Sequence, residues 1–197
     1  MIMGNITSMY QSLIRPAFQQ PYTEGSAFES EIFCEYINNK GLPVEQEVSL
    51  TKVGIEPQEI QVKQLMTQWL PLLRFIKRRT QLPDFEIKRL MMLIEDYSFN
   101  TSSQSFDFVL WNNWDKKQAV SVIESNGLFH YQPVSNTVEY ETEFAKQLVK
   151  DYIKYRELAK LNINFYEYNA ARYHSSYTPI WEKEKIRAEL DKAFCCL

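Results

Sequence analysis

Phe106-Asp107-Phe108-Val109-Leu110 and Ala119-Val120-Ser121-Val122-Ile123-Glu124 are two apolar runs separated by a short polar segment. β-Branched and aromatic residues fill both runs, which is typical of strands. The segment between them contains Asn-Asn-Trp-Asp-Lys-Lys at residues 112–117, and it predicts the turn. The pattern therefore predicts a β-hairpin in which Asp107 opens one strand and Glu124 ends the next.

The two acids are candidate metal ligands. If the strands pair as a hairpin, Asp107 and Glu124 can converge at one end of a sheet. Mg²⁺ and Mn²⁺ prefer hard oxygen ligands, and Mg²⁺ commonly binds one or two carboxylates together with water and substrate phosphates. We therefore expect this pair to bind Mg²⁺ or Mn²⁺. The alternative is a surface hairpin that carries one solvated acid on each strand.

The composition suits one compact domain without a long membrane-spanning segment. Of the 197 residues 45% are hydrophobic, the net charge is −3 and the pI is about 5.6. Because the chain has no overall basic excess, any nucleic-acid surface has to be local. Three cysteines, Cys34, Cys195 and Cys196, fit neither a disulfide framework nor a zinc site. This cysteine usage predicts a cytoplasmic location, and no apolar run reaches the roughly 18 residues of a membrane span.

The chain before the hairpin predicts a leader, a helix, a strand and a helical insert. Residues 1–25 form the leader, and a capping box begins a helix at Ser26. Alternation over residues 44–52 predicts a strand. A helical insert of about residues 56–98 follows. Three prolines are expected to open its first helix, kink or divide it, and open the next: Pro57, Pro71 and Pro83.

The chain after the hairpin predicts a long helix over residues 138–161 and a last core strand. The helix has an apolar stripe, and the strand begins near Ile163. A strand–helix–strand order implies a crossover, hence a mixed sheet with helices on its faces. We expect one α/β domain over residues 26–178, with a C-terminal helix and tail at residues 179–197.

This layout resembles the PD-(D/E)XK nucleases, whose fold is called restriction-endonuclease-like. The nearest branch has Glu-x-Asp-Gly-x-x-His after the third strand and includes very-short-patch-repair-like endonucleases and RAP domains. This chain has Glu124-Ser125-Asn126-Gly127-Leu128-Phe129-His130 there, and Lys150-Asp151-Tyr152-Ile153-Lys154 followed by Ile163-Asn164-Phe165-Tyr166 is similar to that branch. The likeness covers residues 26–54 and 105–169, including Phe28-Glu29-Ser30-Glu31.

The resemblance implies metal-dependent hydrolysis of phosphodiester bonds, in DNA rather than RNA. It implies that Asp107 and Glu124 bind Mg²⁺ or Mn²⁺ and that Glu31 assists them. His130 is the expected general base or water-orienting group. Asn126 departs from the lysine of most of the superfamily and from the aspartate of the nearer branch. This departure leaves open a non-catalytic domain that binds nucleic acid or a protein partner, and a homodimer is also open.

Basic side chains on two predicted helices are candidate phosphate contacts. One group is the basic cluster of the insert, spaced by aromatic residues, and the other is a lysine pair one turn apart on the long helix: Arg74, Lys77, Arg78 and Arg79, with Lys150 and Lys154. For both groups, the alternative is an ordinary solvated helix face.

A third hypothesis concerns the N-terminus. If translation begins at Met3, then Met3-Gly4-Asn5-Ile6-Thr7-Ser8 fits an N-myristoylation pattern. Stable anchoring takes two signals, and Cys195-Cys196 are candidate acylation sites. The chain would then be a peripheral membrane protein.

Overall fold

The computed structural model describes residues 40–116, 118–126 and 128–169. These residues belong to two compact units that are each discontinuous in sequence. The sheet unit contains the described residues up to Val48, from Ser105 to Asn126 and from Asn162 to Asn169. The helical unit contains Ser49–Gln104 and the segment from Leu128 to Leu161. The α/β class expected from the sequence is confirmed.

The sheet unit is built on four strands. They are β1 (Val44–Ser49), β4 (Ser105–Trp111), β5 (Ala119–Asn126) and β6 (Asn164–Asn169), and they lie side by side in that order. β4 and β5 pair antiparallel, whereas β5 and β6 pair parallel. The predicted mixed sheet is therefore confirmed. The parallel neighbours β5 and β6 need a long connection, and residues 128–163 provide it.

The predicted hairpin of β4 and β5 has a defined register. Phe108 faces Ile123 and Val109 faces Val122, which places Asp107 opposite Glu124 one position further along. A bulge between Leu110 and Trp111 shifts the register near the turn. Residues directly opposite each other in an antiparallel pair point to the same face of the sheet. The two acids therefore share a face with Val109 and Val122, both of which are fully buried.

The helical unit contains the four helices of the described chain. They are α1 (Val62–Thr67), α2 (Trp69–Thr80), α3 (Asp84–Met92) and α4 (Val138–Leu161). The last matches the helix predicted over residues 138–161. α2 ends where Gln81 adopts a left-handed φ of 60° and donates its N–H to the Lys77 carbonyl. Side chains of α2, α3 and α4 form one apolar core, which includes Leu72, Ile87 and Leu148.

The insert differs in detail from the prediction. Pro57 does not open a helix, because the short strand β2 (Glu59–Gln61) follows it and pairs antiparallel with β3 (Ser98–Asn100). The helix predicted here is divided at Gln68, between α1 and α2, and Pro71 lies in α2. It is the third residue of that helix, where its missing N–H would have no intrahelical partner. Pro83 stands just before α3, as expected, and Phe85 in the first turn of that helix is 73% exposed.

A 3₁₀ turn covers Thr101–Ser103, and another covers Leu128–His130. No helix among the described residues is long and apolar enough to cross a membrane. Several sequence-based predictions lie outside the described residues: the leader with its acylation pattern, the first helix with Glu31, the three cysteines and the C-terminal tail.

Candidate functional site

The sheet unit brings Asp107 and Glu124 together. The backbone N–H of Asp107 donates a hydrogen bond to Glu124 Oε1 at 3.3 Å. Asp107 is half-buried and Glu124 is only 4% exposed. Like charges directly opposite each other in an antiparallel pair are destabilising, and a buried carboxylate needs a charge or hydrogen-bond partner. A cation bound between these side chains would offset their like charges.

The neighbouring strand adds a third acid that the sequence analysis missed. Glu167 of β6 lies in register with Glu124 of β5, so the two project from the same face of the sheet. Asn126 Nδ2 donates a hydrogen bond to Glu167 Oε1 at 3.2 Å. Asn126 is 1% exposed, and none of the described residues donates a hydrogen bond to its Oδ1 atom. This buried amide oxygen is the kind of group that binds a water molecule or a hard cation.

The donor set fits a loosely ligated Mg²⁺ or Mn²⁺ rather than a closed metal cage. Within the described part of the chain, no group of three His, Cys, Asp or Glu residues is placed to hold one ion. Mg²⁺ is usually bound through one or two carboxylates and keeps several waters. Asp107 and Glu124 satisfy that requirement, while Glu167 and Asn126 could orient the water around them.

A second polar cluster lies within the helical unit, around Asp151 of α4. Asp151 is 3% exposed, and its Oδ2 accepts a hydrogen bond from Arg79 Nη1 of α2 and lies 2.8 Å from His130 Nδ1. Gln147 Nε2 donates to Asp151 Oδ1 at 2.8 Å. Arg79 is also buried, with its Cζ 4.9 Å from the centroid of the Phe75 ring. The buried acid is therefore bound on both of its oxygens.

The electrostatics of this cluster favour an ionised Asp151. Burial by itself raises the pKa of Asp151, but the charges of His130 and Arg79 outweigh it and hold that pKa well below its usual range. Lys154 acts in the same direction. The carboxylate on Nδ1 fixes the orientation of the His130 ring.

The predicted phosphate-binding residues have unequal surroundings. Arg74, Lys77 and Arg78 are exposed, whereas the expectation that Arg79 lies at the surface is wrong, because its side chain is 4% exposed. Lys77 pairs with Asp84 at 2.6 Å. The lysines of the long helix, Lys150 and Lys154, are half-buried.

Two of the missed residues carry a signal in the sequence. Asp151 lies three positions after Leu148 and seven after Phe144, which places it on the apolar face of α4. Glu167 alternates with Phe165 along β6, which places it on the face that Phe165 shares with Val122. In each case an acid interrupts an apolar face, and an interruption of this kind marks a position whose charge must be balanced.

Comparison with known proteins does not assign a function. No protein-family model, curated protein or solved structure matches this chain. Its function is therefore inferred from the residues and their geometry.

Proposed function

We propose that this protein is a metal-dependent endonuclease of the restriction-endonuclease-like fold, which hydrolyses phosphodiester bonds in DNA. The observation that carries the proposal is the pairing of Asp107 with Glu124 across β4 and β5, on the sheet face that also carries Val109 and Val122. The strand order β1-β4-β5-β6 supports it, with β4 and β5 antiparallel and β5 and β6 parallel. This order agrees with the layout that the sequence resemblance implies.

Asp107 and Glu124 would hold Mg²⁺ or Mn²⁺ through their carboxylate oxygens. The bound ion supplies positive charge for the oxygens of the phosphodiester. The chain itself contributes apolar side chains beside the acids, Val109 and Val122, which lower the local dielectric and strengthen electrostatic interactions. Asn126 holds the Glu167 carboxylate in place and keeps its own Oδ1 on the same buried face. The proposal does not depend on His130, which belongs to the helical unit.

The decisive experiment measures cleavage. Purified protein should nick plasmid DNA with Mn²⁺ or Mg²⁺ and should not do so in EDTA. Asp107→Ala should lower the rate by at least about a hundredfold, because metal ions supply several kcal/mol of transition-state stabilisation. Asp115→Ala is the matched control, since it removes an exposed acid from the turn of the same hairpin. Equal loss in both variants, or no loss in Asp107→Ala, would contradict the assignment.

Metal binding can be measured without cleavage. Mn²⁺ at a hundred times its Kd should raise the free energy of unfolding by about 2.7 kcal/mol. Glu124→Gln should lose this gain while the Asp115→Ala variant keeps it. Mn²⁺ stabilisation without cleavage would leave the metal site intact and remove the endonuclease activity from the proposal.

The alternative function is a non-catalytic domain of the same fold that binds nucleic acid or a protein partner. Asn126 favours it, because this position has lysine in most of the superfamily and here its amide group binds Glu167. Salt-dependent DNA binding without cleavage in any divalent metal would select this alternative. The myristoylation hypothesis concerns residues outside the described chain, and membrane flotation that depends on Gly4 would select it.

A further inference from the structure

A groove of about 370 Å³ lies between α2 and α4 in the helical unit. Its volume is within the range of small-molecule sites. Each helix contributes four side chains at positions i, i+3, i+4 and i+7, so the groove follows one stripe on each helix. The α2 stripe comprises Pro71, Arg74, Phe75 and Arg78, and the α4 stripe comprises Tyr152, Tyr155, Arg156 and Ala159.

Three aromatic rings line the groove. The ring centroids of Phe75 and Tyr155 are 5.2 Å apart with an interplanar angle of 31°, and Tyr152 lies 5.5 Å from Phe75. Burial raises the pKa of Tyr152, so its phenol stays neutral at physiological pH and does not repel an anion. In this aromatic wall Phe75 and Tyr152 are buried and Tyr155 is half-buried, so Tyr155 provides the ring on which another planar ring could stack.

Guanidinium groups give the groove its positive charge. Arg78 lies over the Tyr155 ring at 5.8 Å, and Arg156 is fixed by hydrogen bonds of 2.9 and 2.6 Å to Glu157. Lys160 offsets the charge of Glu157 at 2.5 Å. Arg74 and Arg78 are exposed, and no carboxylate of the described residues pairs with either of them.

We infer that this groove binds a nucleotide unit, with its base against the aromatic wall and its phosphate at Arg74 and Arg78. Arginine forms bidentate hydrogen bonds to phosphate, and base stacking on aromatic side chains tolerates any base. An uncharged apolar ligand would not use the guanidinium groups. A free nucleotide and one residue of a single strand present the same chemistry. The site does not require hydrolysis at Asp107 and Glu124, so it goes beyond the proposed endonuclease activity.

The test titrates the full-length protein in EDTA with AMP, adenosine, inorganic phosphate and oligothymidylate. The variant Arg74→Gln/Arg78→Gln keeps much of each side-chain stem and removes both charges. Its control is Lys63→Gln/Lys88→Gln, which removes two exposed charges elsewhere in the helical unit. We expect the arginine variant to bind AMP at least tenfold more weakly and the lysine variant to match the wild type.

A second pair of variants tests stacking. Tyr155→Leu should weaken the binding of AMP and leave the affinity for inorganic phosphate unchanged. Tyr155→Phe should bind both ligands like the wild type. AMP binding identifies a free nucleotide as a sufficient ligand, and binding of oligothymidylate alone identifies a strand; both support the site.

The inference is overturned if the two double variants bind AMP and oligothymidylate with equal affinity. It is also overturned if Tyr155→Leu binds AMP with unchanged affinity. Because all titrations are done in EDTA, either result leaves the metal-dependent cleavage test unaffected.

Discussion

Glu124 and Asp151 are both buried carboxylates, with 4% and 3% exposure, but their neighbours differ in charge. Asp151 lies against Arg79 and His130, so the protein itself balances its charge. Glu124 lies opposite Asp107 and in register with Glu167, so its strand neighbours carry the same charge. A structural role explains the first acid fully. For the second, the proposed metal ion would offset the like charges of its strand neighbours.

The largest expected effect tests the structural role of the Asp151 cluster. Arg79→Ala should lower the free energy of unfolding by about 3–5 kcal/mol, because it removes the buried guanidinium that pairs with a buried carboxylate. Arg79→Leu/Asp151→Leu should recover much of this loss, since apolar replacement of a buried ion pair is often neutral. Urea denaturation measures both values, with the exposed Arg78→Ala as the control. If Arg79→Ala behaves like Arg78→Ala, the ion pair is not structural and the contrast with Glu124 fails.

The sequence predicted the hairpin and the long helix because both patterns are long enough to show a period. β4 and β5 contain seven and eight residues, and α4 contains 24. The short pair β2 and β3 has three residues in each strand, which is too few to reveal an alternation. Pro57 then suggested a helix start where a strand forms.

Candidate site residues could be identified from the sequence where a charged residue stood out within an apolar element. Asp107 and Glu124 stood out in this way, because each carries a charge at the end of an apolar strand. Arg79 was misjudged because it follows other basic residues, although it lies four positions after Phe75 and therefore on the buried face of α2. The partnership of Arg79 with Asp151 joins residues 72 positions apart in sequence, and no local pattern records such a pairing.

A smaller effect on the free energy of unfolding is expected when the pH is lowered. The pKa of Asp151 is lower in the folded protein than the usual value near 4 of an unfolded aspartate, so the folded state binds fewer protons. Its stabilising contribution is complete above about pH 5 and is lost as the pH falls through 4 towards the folded pKa.

Asp151→Asn should therefore show a flatter fall in unfolding free energy between about pH 5 and pH 2 than the wild type, by about 1.4 kcal/mol for each unit by which the pKa is lowered. The groups that face Asp151 are Arg79, His130, Gln147 and Lys154. His130→Gln is the control that removes the imidazole neighbour and keeps Asp151. Parallel acid curves for Asp151→Asn and the wild type would mean that Asp151 is not held ionised by its neighbours.

The smallest expected effect tests whether the hydrogen bond between Asn126 and Glu167 supports a metal site. Outer partners of metal ligands typically contribute about tenfold or more to affinity. Glu167→Gln should therefore weaken Mn²⁺ binding by about tenfold, measured by calorimetric titration of the full-length protein, while Asp115→Asn leaves it unchanged. Complete loss of binding, as expected for Glu124→Gln, would make Glu167 a direct ligand.

Asn126→Asp distinguishes a metal site from acids whose charges are balanced within the protein. It does so because it places another negative charge beside Glu167 on the same face. It should lower the stability of the metal-free protein through like-charge repulsion, and Mn²⁺ should restore more stability than it adds to the wild type. If Mn²⁺ restores nothing, the acids of this face balance their charges within the protein, as Asp151 does.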